Sequence, residues 1–128
     1  MGFLLDTHAF LWFLGGDKKL PKPSRKIIKD INQDCYLSVA SLWEMTIKIQ
    51  LKKLEVSIPI EDIYDFLERN QIILLPIEIQ HLSALSKLDA HHQDPFDRLI
   101  ISQGISEGLT VISGDSWFHK YPVSLFWD

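Results

Sequence analysis

Four acidic residues stand where carboxylates could work together: Asp6 after the run Phe3-Leu4-Leu5, Glu44 between Trp43 and Met45, Asp97 at the end of Asp94-Pro95-Phe96-Asp97, and Asp115 after Ser113-Gly114. Carboxylates at close range raise one another's pKa and destabilise the fold that gathers them. A divalent cation removes that cost, and an oxygen-only donor set suits a hard ion, Mg²⁺ or Mn²⁺. Such an ion acidifies a bound water, aims it at phosphorus and stabilises the charge on the leaving oxygen. Two ions ~3.5–4 Å apart can divide these tasks. The chemistry this points to is phosphodiester hydrolysis.

Distant residues meet only if the elements between them bring them together. Short apolar runs at Phe3–Leu5, Cys35–Val39, Ile72–Leu75 and Leu109–Ile112, with a fifth at Val123–Phe126, read as strands. Between them the pattern predicts helices over Ala9–Leu14, Ser24–Ile31, Ala40–Lys52, Ile60–Asn70, Glu78–Leu88 and from Asp94-Pro95 to Gly108. Ile27, Ile28 and Ile31 would share one side of the second helix, and Leu42, Trp43, Ile47 and Leu51 are apolar positions of the third. Uniformly apolar strands alternating with helices predict an α/β fold, a parallel sheet covered on both faces. Ligands bind such sheets at the carboxyl ends of the strands, where the following helices begin. That rule brings Asp6, Glu44, Asp97 and Asp115 to one edge.

Each residue also has a simpler reading. Asp6 could cap the next helix. Glu44 could close a capping box with Ser41, unless Ser38 is the cap and Glu44 lies deeper. Asp94 before Pro95 is the natural N-cap, which leaves Asp97 at the third helical position, as a ligand or a partner of the helix dipole. Ser-Gly-Asp-Ser around Asp115 is ordinary turn chemistry. Asp6 with His8, His91 and His92 matches no common zinc spacing. Arg98 could pair with a carboxylate or with a substrate phosphate. Trp12, Trp43, Trp117 and Trp127 read as core or interface rather than as platforms for bases.

The chain has 128 residues, enough for one domain, taken as 1–128. Its single cysteine, Cys35, allows no internal disulfide, which suits a reducing compartment, the cytoplasm. No apolar run approaches the ~20 residues of a membrane span. The net charge of −4 is uneven: residues 1–53 carry nine Lys and Arg against five acidic residues, and residues 54–128 four against twelve. The basic stretch 18–29, with Lys22, Arg25 and Lys26, and Lys48 beyond it, could line a polyanion path or form solvated helix faces.

Leu4-Leu5-Asp6-Thr7-His8, Ser41-Leu42-Trp43-Glu44, Asp94-Pro95-Phe96-Asp97-Arg98-Leu99 and Ser113-Gly114-Asp115-Ser116-Trp117-Phe118 together resemble the PIN-domain family, and in order and separation its VapC toxins of type II toxin–antitoxin systems. The resemblance implies a three-layer α/β/α sandwich with a mainly parallel sheet of about five strands. It also implies a Mg²⁺- or Mn²⁺-dependent endoribonuclease, a homodimer, and a cognate antitoxin that covers the acidic pocket and makes the DNA contacts itself. By motif position Asp6, Glu44 and Asp97 match the family's acidic triad and Asp115 its more variable fourth position. Thr7 and Ser113 match supporting hydroxyls, and Asp94 the first Asp of its block. Two rivals are a non-catalytic interaction module with a structural acidic cluster, and a metal-dependent phosphoesterase with another substrate. Asp6-Thr7-His8 lacks the second Asp of a DxD phosphatase, and no GxGxxG follows the first strand.

Overall fold

Residues alternate sides along an extended chain, so a strand that is apolar throughout must be covered on both faces. The computed structural model, which describes residues 2–128, shows this arrangement. The strands are β1 (Gly2–Leu5), β2 (Asp34–Ser38), β3 (Ile72–Leu75), β4 (Thr110–Ile112) and β5 (Leu125–Phe126). All described pairings are parallel, in the order β3-β2-β1-β4-β5, with Leu5 opposite Leu37 on one side and Ile112 on the other. The helices are α1 (Thr7–Gly15), α2 (Lys22–Lys29), α3 (Val39–Gln50), α4 (Ile63–Arg69), α5 (Ile79–Ser86) and α6 (Pro95–Glu107), with 3-10 turns at Ile60–Asp62 and Ser116–Lys120. None of these helices is long and apolar enough to cross a membrane.

Successive residues of β1 feed two cores. Leu5 packs with Phe10, Phe13, Ile28, Met45 and Ile63 on one face. Leu4 packs with Ile100, Ile101, Val111, Phe118 and Tyr121 on the other. The sheet is thus the middle of three layers, as the family resemblance implied.

Helix ends follow local chemistry. Gly16, at φ 64°, closes α1 in the left-handed conformation that glycine adopts without strain. Pro21 caps α2 and Pro23 lies in its first turn, where a missing N–H costs nothing. This helix starts two residues before the expected Ser24 and stops at Lys29, so Ile31 falls outside it and is 76% exposed. The helix expected over 60–70 begins as a 3-10 turn before α4. Trp43 of α3 and Leu51 just past its end are both more than half exposed, while Ser41, Glu44 and Met45 are buried.

Cys35 sits in β2, buried, and burial first, then the charges of Asp34 and Asp30, push its thiol up to about 11. Only the thiolate attacks disulfide reagents. Cys35 is therefore expected to resist Ellman's reagent at pH 8 in the native protein and to react promptly in denaturant. Rapid labelling of the native chain would contradict this placement.

Candidate active site

The chain adds β2 and β3 on one side of β1 and then returns to add β4 and β5 on the other. The crevice at such a reversal, beyond the carboxyl ends of the strands, is where open α/β sheets bind ligands. Asp6 lies at its mouth. Its backbone N–H donates to Ile112 O at 3.1 Å, and its side-chain Oδ1 accepts the Ala9 N–H at 2.7 Å. Asp6 is therefore the N-cap of α1, and it is also buried, only 4% exposed. Capping accounts for one of its oxygens but not for its burial at a sheet edge.

Across the crevice, Ser113 follows β4 and is 1% exposed. Its hydroxyl accepts the Asp115 N–H at 3.1 Å and favours the ionised form of Asp6. Asp115 in turn caps the 3-10 turn 116–120, accepting the Trp117 N–H at 2.9 Å. The turn between them needs Gly114, because a β-carbon there would lie 2.4 Å from Cε2 of Trp127.

Ser38, not Ser41, is the N-cap of α3, accepting the Ala40 N–H at 3.0 Å. Glu44 thus lies in the second turn, outside any capping box, and is 3% exposed. Its Oε1 accepts the Thr7 hydroxyl at 2.8 Å, and its Oε2 lies 2.7 Å from Lys48 Nζ. Thr7 Oγ1 is also 3.0 Å from Ser41 Oγ; its one proton belongs to the carboxylate, so Ser41 supplies the proton of that second bond.

Asp94 caps α6, its Oδ1 accepting the N–H groups of Phe96 at 3.0 Å and Asp97 at 3.1 Å. Asp97 projects from the first turn, and its Oδ2 lies 3.3 Å from Nε2 of His92.

Electrostatics join these residues. Burial pushes the Asp6 carboxyl up to about 6; hydrogen bonds from Ser113 and Ala9 oppose the rise, and the charges of Asp115 and Glu44 add to it. Burial also pushes Asp97 up to about 6, with the charge of Asp94 next, the His92 hydrogen bond opposing, and Asp115 and Glu44 again contributing. Asp115 and Glu44 therefore act on both. The four oxygen donors are not drawn into one tight shell, however. Among the described residues, the group of three or more candidate ligands whose atoms all lie within 4.8 Å is Glu78, His81 and Glu107. There His81 already accepts the Glu78 N–H on Nδ1 at 3.0 Å and meets Glu107 through Nε2 at 2.7 Å, which ties α5 to α6. The acidic residues at the crevice fit a hard cation in donor chemistry and in charge, since among the described residues only Glu44 of the four pairs with a Lys or Arg, and their wider spacing suits an ion that keeps waters.

The basic residues divide. Ser24 holds the start of α2 to the same sheet edge, its N–H and hydroxyl donating to Asp128 O at 2.6 and 2.8 Å. Lys22 and Lys26 are exposed on this helix, while Arg25 donates to Asp17 O and lies over the Phe13 ring. Lys48 is bound to Glu44. Arg98 is engaged internally, donating to the backbone of Leu88 and Asp89 and to the Tyr121 hydroxyl. Sequence reasoning weighed His92 only as a zinc ligand and missed its partner Tyr121, 29 residues away.

Comparison with known proteins agrees with this fold. No curated protein sequence shows a significant match. Among solved structures, VapBC2 of Rickettsia felis bound to a promoter DNA fragment aligns over 100% of both chains at 18% identity and a TM-score of 0.75. DNA-bound VapBC of Salmonella typhimurium aligns over 98% of this chain and 97% of its own at 17% identity and a TM-score of 0.73. VapBC-1 of nontypeable Haemophilus influenzae covers the same shares at 17% identity and a TM-score of 0.69. At these identities the likeness is one of fold. The family model for the PIN domain matches residues 3–123, nearly the whole length, and the chain belongs to the PIN-domain family.

Proposed function

We propose that residues 1–128 form one PIN domain that acts as a metal-dependent endoribonuclease, the toxin of a type II toxin–antitoxin pair. PIN domains are generally nucleases, and the solved structures with this fold include VapBC complexes. The observation that carries the reading is the pair of carboxyls, Asp6 buried and Asp97 half-buried, both raised by burial and by shared acidic neighbours. Buried charge of one sign without a countercharge is costly, and it persists where a cation is meant to bind.

In this reading Asp6 and Asp97 hold the principal Mg²⁺ or Mn²⁺, and Glu44 and Asp115 complete the cluster directly or through water. The ion, when bound, neutralises the cluster, acidifies water for attack on phosphorus and offsets charge on the leaving oxygen. The chain positions these groups: Thr7 fixes Glu44, Ser113 fixes Asp115, the Ala9 N–H fixes Asp6, and Asp94 fixes the start of α6. Lys48 holds the Glu44 carboxylate as its countercharge and can turn outward to a phosphate when a cation replaces it. Lys22 and Lys26, with Arg25, give the backbone of RNA a basic approach along α2.

The same reading assigns the chain a cytoplasmic site, a homodimeric state and an antitoxin that contacts DNA on its behalf. The groove of about 370 Å³ reaching from His8 and Trp12 to Lys48 and Val56 is the seat for a segment of that partner.

Cleavage of tRNA and mRNA, with DNA as the comparison, in Mg²⁺, Mn²⁺ and EDTA tests the activity. Folded Asp97→Asn is expected to lose about a hundredfold or more, since metal stabilisation of the transition state amounts to several kcal/mol. Unimpaired cleavage by that variant, or equal cleavage in EDTA, overturns the reading.

A further inference from the structure

The loop before α6 carries a histidine whose proton can be located from its neighbours. Four groups converge on the Tyr121 hydroxyl oxygen: the N–H of His91 at 3.2 Å, the N–H of His92 at 3.1 Å, Arg98 Nη1 at 3.2 Å, and His92 Nδ1 at 2.7 Å. The first three can only donate. A phenol has one proton to give, and of the four groups only Nδ1 can accept it. The phenol proton therefore goes to Nδ1. The ring's own proton is then on Nε2, which lies 3.3 Å from Asp97 Oδ2.

The ring itself is fixed in place. His92 stacks on Trp117 with centroids 5.4 Å apart and planes 10° apart, and Tyr121 meets it edge-on at 5.4 Å. Trp117 belongs to the turn that Asp115 caps. Arg98 holds the other end of the network by pinning the carbonyls of Leu88 and Asp89. The buried Tyr121 thus sets the tautomer, and the stack sets the direction of the N–H.

We propose that His92, held as the Nε2–H tautomer by Tyr121, is a positioning residue that secures one oxygen of Asp97 so that the other is presented to the cation. The proposal rests on the reading of Asp97 as a metal ligand. Groups hydrogen-bonded to ligating side chains typically change metal affinity by about 10–100-fold when removed. The neutral N–H donor suits this role, because it orients the carboxylate without competing as a cation.

Two measurements test it separately. In the metal-free protein at pH 8, ¹⁵N chemical shifts of the imidazole are expected to show the proton on Nε2 of His92; a proton on Nδ1 overturns the proposal whatever the metal does. Mn²⁺ titration followed by electron paramagnetic resonance then compares variants. His92→Phe keeps a ring on Trp117 but loses both hydrogen bonds, and is expected to weaken Mn²⁺ by about 10–100-fold. His92→Gln returns an amide donor towards Asp97 and is expected to recover most of that loss. Tyr121→Phe, which frees the tautomer, is expected to weaken Mn²⁺ several-fold and serves if His92→Phe does not fold. Equal Mn²⁺ affinity in parent, His92→Phe and Tyr121→Phe overturns the positioning role while leaving the acidic site standing. Failure of the parent to bind Mn²⁺ removes the site and this role with it.

Discussion

Asp6→Asn is expected to melt higher than the parent in EDTA at pH 7.5 and to lose about a hundredfold or more of its RNA cleavage in Mn²⁺. Asp6 is 4% exposed, and its carboxyl stands at about 6 instead of 3.8, burial being the main cause. At pH 7.5 it is nonetheless ionised, so the fold carries a buried anion at a cost on the order of 3 kcal/mol. Asn has the same shape. Its oxygen still accepts the Ala9 N–H, so α1 keeps its cap. The charge is lost and the packing is not. A gain of about 1–3 kcal/mol raises the melting temperature by several degrees in a chain of this size. The same change removes an anionic ligand from the proposed cation site, with the loss of activity in the range given for Asp97. Thermal melts and RNA cleavage on one preparation check both halves. A variant that melts lower and still cleaves would contradict the account.

Stability of the metal-free protein is expected to fall as pH rises from about 4 to above 6. Asp6 and Asp97 both move from 3.8 to about 6, so the folded chain binds protons more tightly than the unfolded chain across that interval. Their contribution is complete below about 4 and is lost as pH passes the folded value near 6. For each the loss is at most on the order of 3 kcal/mol, and it is smaller for Asp97, which is less deeply buried. A divalent cation binds the ionised form and acts in the opposite sense. At a hundred times its Kd it adds about 2.7 kcal/mol. The increment in melting temperature from Mn²⁺ should therefore be small at pH 5 and large at pH 8. An increment that does not vary between those values would show that the cation binds elsewhere.

Much of this arrangement is legible in the residues themselves. The polar stop at Asp6 after an apolar run marks a strand's carboxyl end, and Asp94-Pro95 marks the cap that leaves Asp97 inside the helix. Both follow from short-range chemistry. What spacing cannot decide depends on tertiary neighbours. Whether Ser38 or Ser41 caps α3 is settled by how β2 delivers the chain, and that choice turns Glu44 inward. The inward face of α3 carries Ser41 and Glu44 because it lies against the Thr7 hydroxyl, so Trp43 and Leu51 face out despite their apolarity. Trp43 instead meets Phe96 edge-on at 5.1 Å. Trp117, expected in a core or interface, is 44% exposed and backs His92. The pairing of His81 with Glu107 joins residues 26 apart that no local pattern connects.

The order of the strands also has a consequence in time. β1 is central, yet its neighbour β4 is almost the last strand to be made. On the ribosome the first three strands can pair while one side of β1 stays open, and Asp6 faces no Ser113 and no Asp115. The acidic crevice is therefore complete only once β4 and the turn after it have docked.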